Sequence, residues 1–274
     1  MSPGGSSSAR RFAISQIAAR GPALDLLEDR SVAPRASRVR PFDGTRKQSD
    51  ELVAMAVMIR APGGAPLRLG RVVLAHEHGT YASPKSAFPL VWEGEAQQEA
   101  IIEADTDFDV EKIETESVSF EFTMDGKPVS YTVDLALRSA SGRERLVEIK
   151  RDDRDLEDPE YRLKLAHVAE ICRRCDIDFQ VLLRADIFRS DRHRRNAAFV
   201  ASRGFTTIEA HHLRRFEAHR REVGSTTSLG DLAEALEPGS PVLGEAIVHA
   251  LVVRRRVRMD LAGRMLPSAP VSLH

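Results

Sequence analysis

The chain has 274 residues, enough for one larger domain and a smaller one. Its 40 basic residues nearly balance 41 acidic ones, which argues against a strongly basic, non-specific nucleic-acid binder while leaving room for local basic patches. With two cysteines, no apolar run of membrane-spanning length and no apolar core after the N-terminal MSPGGSSSARRF, a disulfide scaffold, a membrane protein and a secretory signal are all disfavoured, and a cytoplasmic protein is expected.

Composition predicts a flexible arm over residues 1–50, with one short helix in the amphipathic patch Ile14–Leu27. Leu52–Ile59 is a short apolar segment ended by Pro62, Gly63 and Gly64, Val72–Ala75 reads as a strand, and His76–Pro89 as a loop. Val91–Ile102 carries helical periodicity, with Ala96, Ala100, Ile101 and Ala104 on one face and an acidic start. Ser117–Thr123 alternates into Asp125-Gly126, a strong hairpin turn that sets Phe120 opposite Tyr131 and Phe122 opposite Val129.

The return strand runs into Tyr131–Lys150, YTVDLALRSASGRERLVEIK, which reads as two strands joined by the loop Ser139–Arg143. That loop pairs Arg138 with Glu144, and counting inward sets Asp134 opposite Glu148 on one face, with Lys150 beside them. Val133, Leu135, Leu137, Val147 and Ile149 form the other face, which wants a core. Two carboxylates this close repel unless a cation lies between them. Asp134, Glu148 and the carbonyl of Ile149 are therefore candidate hard-oxygen ligands for Mg²⁺ or Mn²⁺, and Lys150 is placed to orient an attacking water in phosphodiester hydrolysis. A solvated sheet face with cross-strand ion pairs would use the same residue types.

After the charged loop RDDRDLEDPE come a helix over Tyr161–Cys172, a buried strand over Phe179–Leu183, a basic helix over Asp191–Ser202 and a strand over Phe205–Glu209. The alternation predicts a mixed α/β core. Arg214–Arg221 reads as a charged connector. Ser228 opens a helix, Val242–Val252 is a second, and Arg254–Leu261 alternates before Ala262-Gly263 can turn it back, a small winged-helix pattern. Cys172-x-x-Cys175 lacks a second ligand pair and reads as a packed helix end, and His211-His212 lacks metal spacing. Arg192–Arg195 and the arginines at 254, 255, 256 and 258 are candidate phosphate contacts. There is no Gly-rich phosphate loop.

The Asp134, Glu148, Lys150 set is the motif of the PD-(D/E)xK nuclease superfamily, and residues 72–210 resemble the TnsA endonuclease family more narrowly. The resemblance rests on the Ser83-Pro84-Lys85 loop, the Trp92-Glu93 helix start, YTVDL, LVEIK, the helix and strand LKLAHVAEICRRCDIDFQVLL, and the tail LVVRRRVRMDLAGRMLPSAPVSL. It implies a restriction-endonuclease-like mixed sheet core flanked by helices over 51–215 and a winged-helix-like domain over 216–274. It further implies a Mg²⁺-dependent endonuclease subunit that nicks DNA at transposon ends beside a DDE-type transposase and an AAA+ ATPase regulator. The family's first core helix usually carries a further active-site glutamate, and the ungapped position here is Gln97. Glu93, one turn earlier, matches a second acid of that helix, and Glu95 or Glu99 would serve after a slip. The substitution leaves open a non-catalytic assembly module that keeps the fold for docking, and a PD-(D/E)xK nuclease acting alone is the third alternative.

Overall fold

The structure, a computed structural model, describes residues 10–13, 56–67 and 77–274. The patch Ile14–Leu27, the start of the apolar segment at Leu52 and the strand expected at Val72–Ala75 lie outside those residues. In chain order the strands are β1 (Arg10–Ala13), β2 (Val57–Arg60), β3 (His78–Tyr81), β4 (Leu90–Glu93), β5 (Val110–Thr115), β6 (Val118–Met124), β7 (Lys127–Thr132), β8 (Leu135–Ser139), β9 (Glu144–Lys150), β10 (Asp178–Leu183), β11 (Thr226–Ser228), β12 (Val257–Met259) and β13 (Pro270–Leu273). The helices are α1 (Glu95–Thr106), α2 (Pro159–Arg174), α3 (Arg184–Ile187), α4 (Asp191–Ser202), α5 (Ala210–Val223), α6 (Leu229–Leu236) and α7 (Pro241–Val253). None of them is long and apolar enough to cross a membrane. Within the stretch expected as a flexible arm, β1 pairs antiparallel with β2.

The central sheet has the order β10-β9-β8-β5, with β10 parallel to β9 and the other pairs antiparallel. Both faces are covered. On one, Ala100, Ile101 and Ala104 of α1 meet Ile113, Leu135, Val147 and Ile149. On the other, Leu165, Val168 and Ala169 of α2 meet Ala136, Leu146 and Val181. The expected division into one apolar and one polar face is thus corrected. A sheet sandwiched between helices buries both sides of its inner strands, and the polar set is confined to the strand ends.

The Asp125-Gly126 turn forms as expected, with both residues at positive φ (50° and 73°), the requirement of a two-residue type I′ loop. It sets Phe120 opposite Tyr131 and Phe122 opposite Val129. That hairpin belongs to a second sheet, β1-β2-β6-β7, which shares the α2 core through Met58, Phe120 and Phe122. The continuous strand expected from Tyr131 is therefore broken. Val133 still donates to the Val118 carbonyl, and the chain crosses to the central sheet at Asp134.

Several boundaries move. Leu90–Glu93, with Val91–Glu93 expected to open a helix, pairs with β3, because the β-favouring Val91 and Trp92 precede Gly94, whose φ of 79° breaks the chain direction before α1 begins. The expected loop before it contains β3 and ends in a buried clamp on the C-terminus of α1. The Lys85 ammonium donates to the carbonyls of Ala104 (3.1 Å) and Asp107 (2.7 Å), and burial pulls it down to about 8. Val110–Thr115 is a strand the periodicity did not reveal. Phe205–Glu209 is irregular rather than a strand, with Phe205 60 % exposed and the segment absent from every sheet. Arg214–Arg221 is not a connector but the body of α5, so the division expected after residue 215 falls inside a helix.

From α5 onward the order is helix, strand, helix, helix, strand, strand, with the sheet order β11-β13-β12. Phe216, Leu232, Leu236, Ile247, Leu251 and Val271 share a core to which Ala197 and Val200 of α4 also belong. Ser228 caps α6 by accepting from the Asp231 N–H (3.1 Å). Ser228→Ala is expected to cost about 1 kcal/mol and lower the thermal midpoint by roughly 2–4 °C, read from the melting curve.

Candidate active site

Continuing the observed β8–β9 register by one residue brings Asp134 opposite Glu148, as the sequence implied. Glu148 is 3 % exposed. Its Oε2 accepts from the Tyr131 hydroxyl and its Oε1 from the Tyr161 hydroxyl, and the Lys150 ammonium stands 2.6 Å from Oε1. The half-buried Asp134 accepts from the Ile149 N–H through Oδ2 (2.7 Å) and from the Gln97 amide through Oδ1 (2.9 Å).

The electrostatics follow from the enclosure. Burial, then the charge of Glu148, pushes the Asp134 carboxyl well above the usual carboxylate range, against the pull of Lys150 and the Ile149 N–H. Burial alone would lower Lys150, but Glu148 and Asp134 outweigh it, so the ammonium stays above its ordinary value. Burial and Glu148 also raise both tyrosines.

The helix acids part company. Gln97 is the residue of α1 that reaches Asp134; its Oε1 accepts from the Glu93 N–H (2.7 Å), which fixes the amide with its NH₂ toward the carboxylate. Glu93 is not one helical turn before Gln97 but at the end of β4, and it meets Gln97 through its backbone. Glu99 is spent on Arg184 (2.9 Å) and Arg194 (3.5 Å), and Glu95 on Arg184 (2.6 Å). Glu93, Gln97, Ile149, Lys150 and Tyr161 line one cleft of about 710 Å³, together with Glu77, Asp155 and Asp158.

The two tyrosines went unnoticed in the sequence. Tyr131 arrives from the other sheet, and Tyr161 sits in the first turn of α2, 13 residues beyond the glutamate it touches. Neither carries a local signal.

Other candidates resolve differently. Of the wing arginines expected at phosphates, Arg255 donates to the Phe108 carbonyl (2.8 Å) and Arg258 pairs with Asp109 (2.5 Å), which ties the C-terminal unit to the α1–β5 turn, while Arg256 pairs with Glu217 of α5 within that unit. In the Arg192–Arg195 run, His193 is buried and Arg194 pairs with Glu99. Cys172 is packed in the core and Cys175 caps α2, as the isolated pair suggested.

His211 and His212, read as lacking metal spacing, do meet Glu237 across the α5–α6 contact. The His212 Nδ1 accepts from the Glu209 N–H (3.0 Å), so its proton sits on Nε2, which faces Glu237 Oε2 at 3.0 Å. Arg215 stands 3.5 Å from the same oxygen. That arrangement is a hydrogen-bonded cap with a cation already beside it, and the His212 nitrogen that faces Glu237 is a donor rather than a metal ligand.

In comparison with known proteins, no family model matches the chain and no curated protein is significantly similar to it.

Proposed function

We propose that the protein is a divalent-metal-dependent DNA endonuclease with the PD-(D/E)xK arrangement, acting as a TnsA-like subunit that nicks transposon ends. The observation that carries this reading is the register pairing of Asp134 with the buried Glu148 beside Lys150, which with Gln97 and Ile149 lines a cleft large enough for a phosphodiester. The order α1, β5, β8, β9, α2, β10, with the β6–β7 hairpin inserted, supports a restriction-endonuclease-like core. The helix–strand–helix–helix–strand–strand order of the C-terminal unit supports a winged helix.

The donor set suits Mg²⁺ or Mn²⁺: it is all oxygen, and it brings two carboxylates, Asp134 and Glu148, beside a single ammonium, Lys150. Asp134, Glu148 and the Ile149 carbonyl would hold the ion, which when bound polarises the phosphate and makes water a better nucleophile. Lys150, kept charged, donates a hydrogen bond to the incoming water or to the phosphate rather than accepting a proton. Gln97 steadies Asp134. Hydrolysis then adds water oxygen to phosphorus and breaks the opposite P–O bond, leaving a nicked strand. A DDE-type transposase and an ATPase regulator are the partners this reading assigns.

The test is strand nicking of transposon-end DNA by the purified protein with its cognate transposase. Cutting should require Mg²⁺ or Mn²⁺, and absence of cutting with both ions sinks the reading. Robust cutting of generic DNA without a transposase would instead make it a stand-alone nuclease.

One observation favours a second reading, an assembly module with a weakened site. Gln97 brings no charge, and its oxygen is already used on the Glu93 N–H. Gln97→Glu sets a carboxylate against Asp134 Oδ1 in place of the NH₂. It is expected to tighten Mn²⁺ binding by about tenfold or more, and to lower metal-free stability by about 1–3 kcal/mol. Calorimetric titration and melting with and without the ion read both. A large gain in nicking rate would identify Gln97 as the missing acid, and no change in affinity would remove it from the pocket.

A further inference from the structure

Resting on the nuclease reading above, we infer that Tyr131 and Tyr161 are the positioning residues of Glu148, two phenols that occupy both of its oxygens so that its orientation is not left to Lys150 alone. Glu148 and Lys150 are two residues apart on β9 and share a face. An ammonium and a carboxylate at that spacing pair, as Lys150 does with Oε1 at 2.6 Å, and without other partners the carboxylate is free to turn both oxygens toward the lysine. Here Oε2 is taken by Tyr131, from the neighbouring sheet, and Oε1 is shared between Tyr161 and Lys150. Lys150 therefore reaches one oxygen only, and the carboxylate is fixed by two elements other than its own strand.

Tyr161 also steers the lysine directly. The Lys150 ammonium lies 4.9 Å from the centre of the Tyr161 ring, and that of Lys164 lies 4.8 Å from it. The ring is thus placed to hold Lys150 toward the cleft wall that both residues line. Neither phenol lies among the metal-ligand candidates. Their effect on the reaction passes through Glu148 and Lys150, in the way outer hydrogen bonds fix the orientation of ligating groups.

The experiment compares Tyr161→Phe and Tyr131→Phe, which keep the rings and remove only the hydroxyls. Tyr81→Phe is the control, since it deletes an equivalent phenol–carboxylate bond, to Asp105 (2.7 Å), at the far end of α1. Mn²⁺ affinity is measured by calorimetry on the full chain, and nicking kinetics with the transposase. Each site variant should bind Mn²⁺ about 10–100-fold more weakly and lose kcat, with KM for DNA within about twofold of wild type, while Tyr81→Phe changes neither. Either site variant suffices if the other fails to fold. Wild-type Mn²⁺ affinity in the folded Tyr→Phe variants, whatever their melting temperature, overturns the positioning role and leaves the nuclease reading standing. A wild-type protein that neither binds Mn²⁺ nor cuts overturns both.

Discussion

Asp134→Asn is expected to lower nicking by about 10²–10³-fold or more, and to change stability in opposite directions at the two ends of the pH range. The asparagine carbonyl can take over the Ile149 N–H bond, but its NH₂ then faces the Gln97 NH₂, which the Glu93 N–H holds in place. One hydrogen bond is lost, at a cost of about 1 kcal/mol. Against this stands the charge. The folded Asp134 carboxyl titrates well above its unfolded value, so its contribution is fully present below the unfolded pKa and is lost as pH rises toward the folded one. Near pH 4 the variant should therefore melt below wild type, and by pH 8, without metal, it should melt at or above it. Mg²⁺ should reverse the order at pH 8. An ion at a hundred times its dissociation constant adds about 2.7 kcal/mol to a protein that binds it, and on the proposed reading the variant has lost a ligand. Melting curves at both pH values, with and without Mg²⁺, read this directly. A variant that nicks at the wild-type rate, or gains as much from Mg²⁺ as wild type, sinks the site assignment.

The features legible in the sequence were those set by local chemistry. Asp125-Gly126 dictates its turn and thereby the Phe120–Tyr131 register, and counting back from the Ser139–Arg143 loop is enough to pair Asp134 with Glu148. Ser228 opens its helix as read, and caps it. What stayed hidden depends on neighbours distant in sequence. Nothing in YTVDL marks a change of sheet at Val133–Asp134, because both halves are β-favouring. Glu93 shares the acidic character of the helix that follows, and only the φ of Gly94 separates it. The meeting of His211 and His212 with Glu237, and of Tyr131 and Tyr161 with Glu148, is created by packing between elements. The arginine-rich wing looked free because its partners, Asp109, Glu111 and Glu217, lie up to 149 residues away. Charge patterning along a chain does not reveal which charges are already paired across the fold.

Gly244→Ala should be among the most damaging single-methyl changes in the protein, although helix propensity alone would favour it by about 1 kcal/mol. Gly244 lies buried in the first turns of α7, where α6 crosses it. A Cβ there would stand 2.2 Å from the Ala233 carbonyl oxygen, 2.8 Å from its carbon and 3.1 Å from its Cα. All three are backbone atoms of another helix, so no side chain can swing aside. Accepting the methyl requires α6 and α7 to separate, and the core of Leu232, Leu236, Ile247 and Leu251 lies between them. Overpacking of this kind costs about 1–3 kcal/mol and occasionally more, and close backbone contact puts this case at the upper end. At about 3 kcal/mol the thermal midpoint falls by roughly 10 °C. Gly230→Ala, whose Cβ would meet Pro267 at 3.0 Å, should cost distinctly less, because a loop can yield where a helix cannot. Gly239→Ala meets nothing within 4 Å and should show only the penalty of its positive φ, about 1 kcal/mol. If Gly244→Ala melts within a degree of wild type, the helices do not approach as described. If it melts far below while nicking survives at low temperature, the packing of the C-terminal unit matters for stability and not for the chemistry at Asp134 and Glu148.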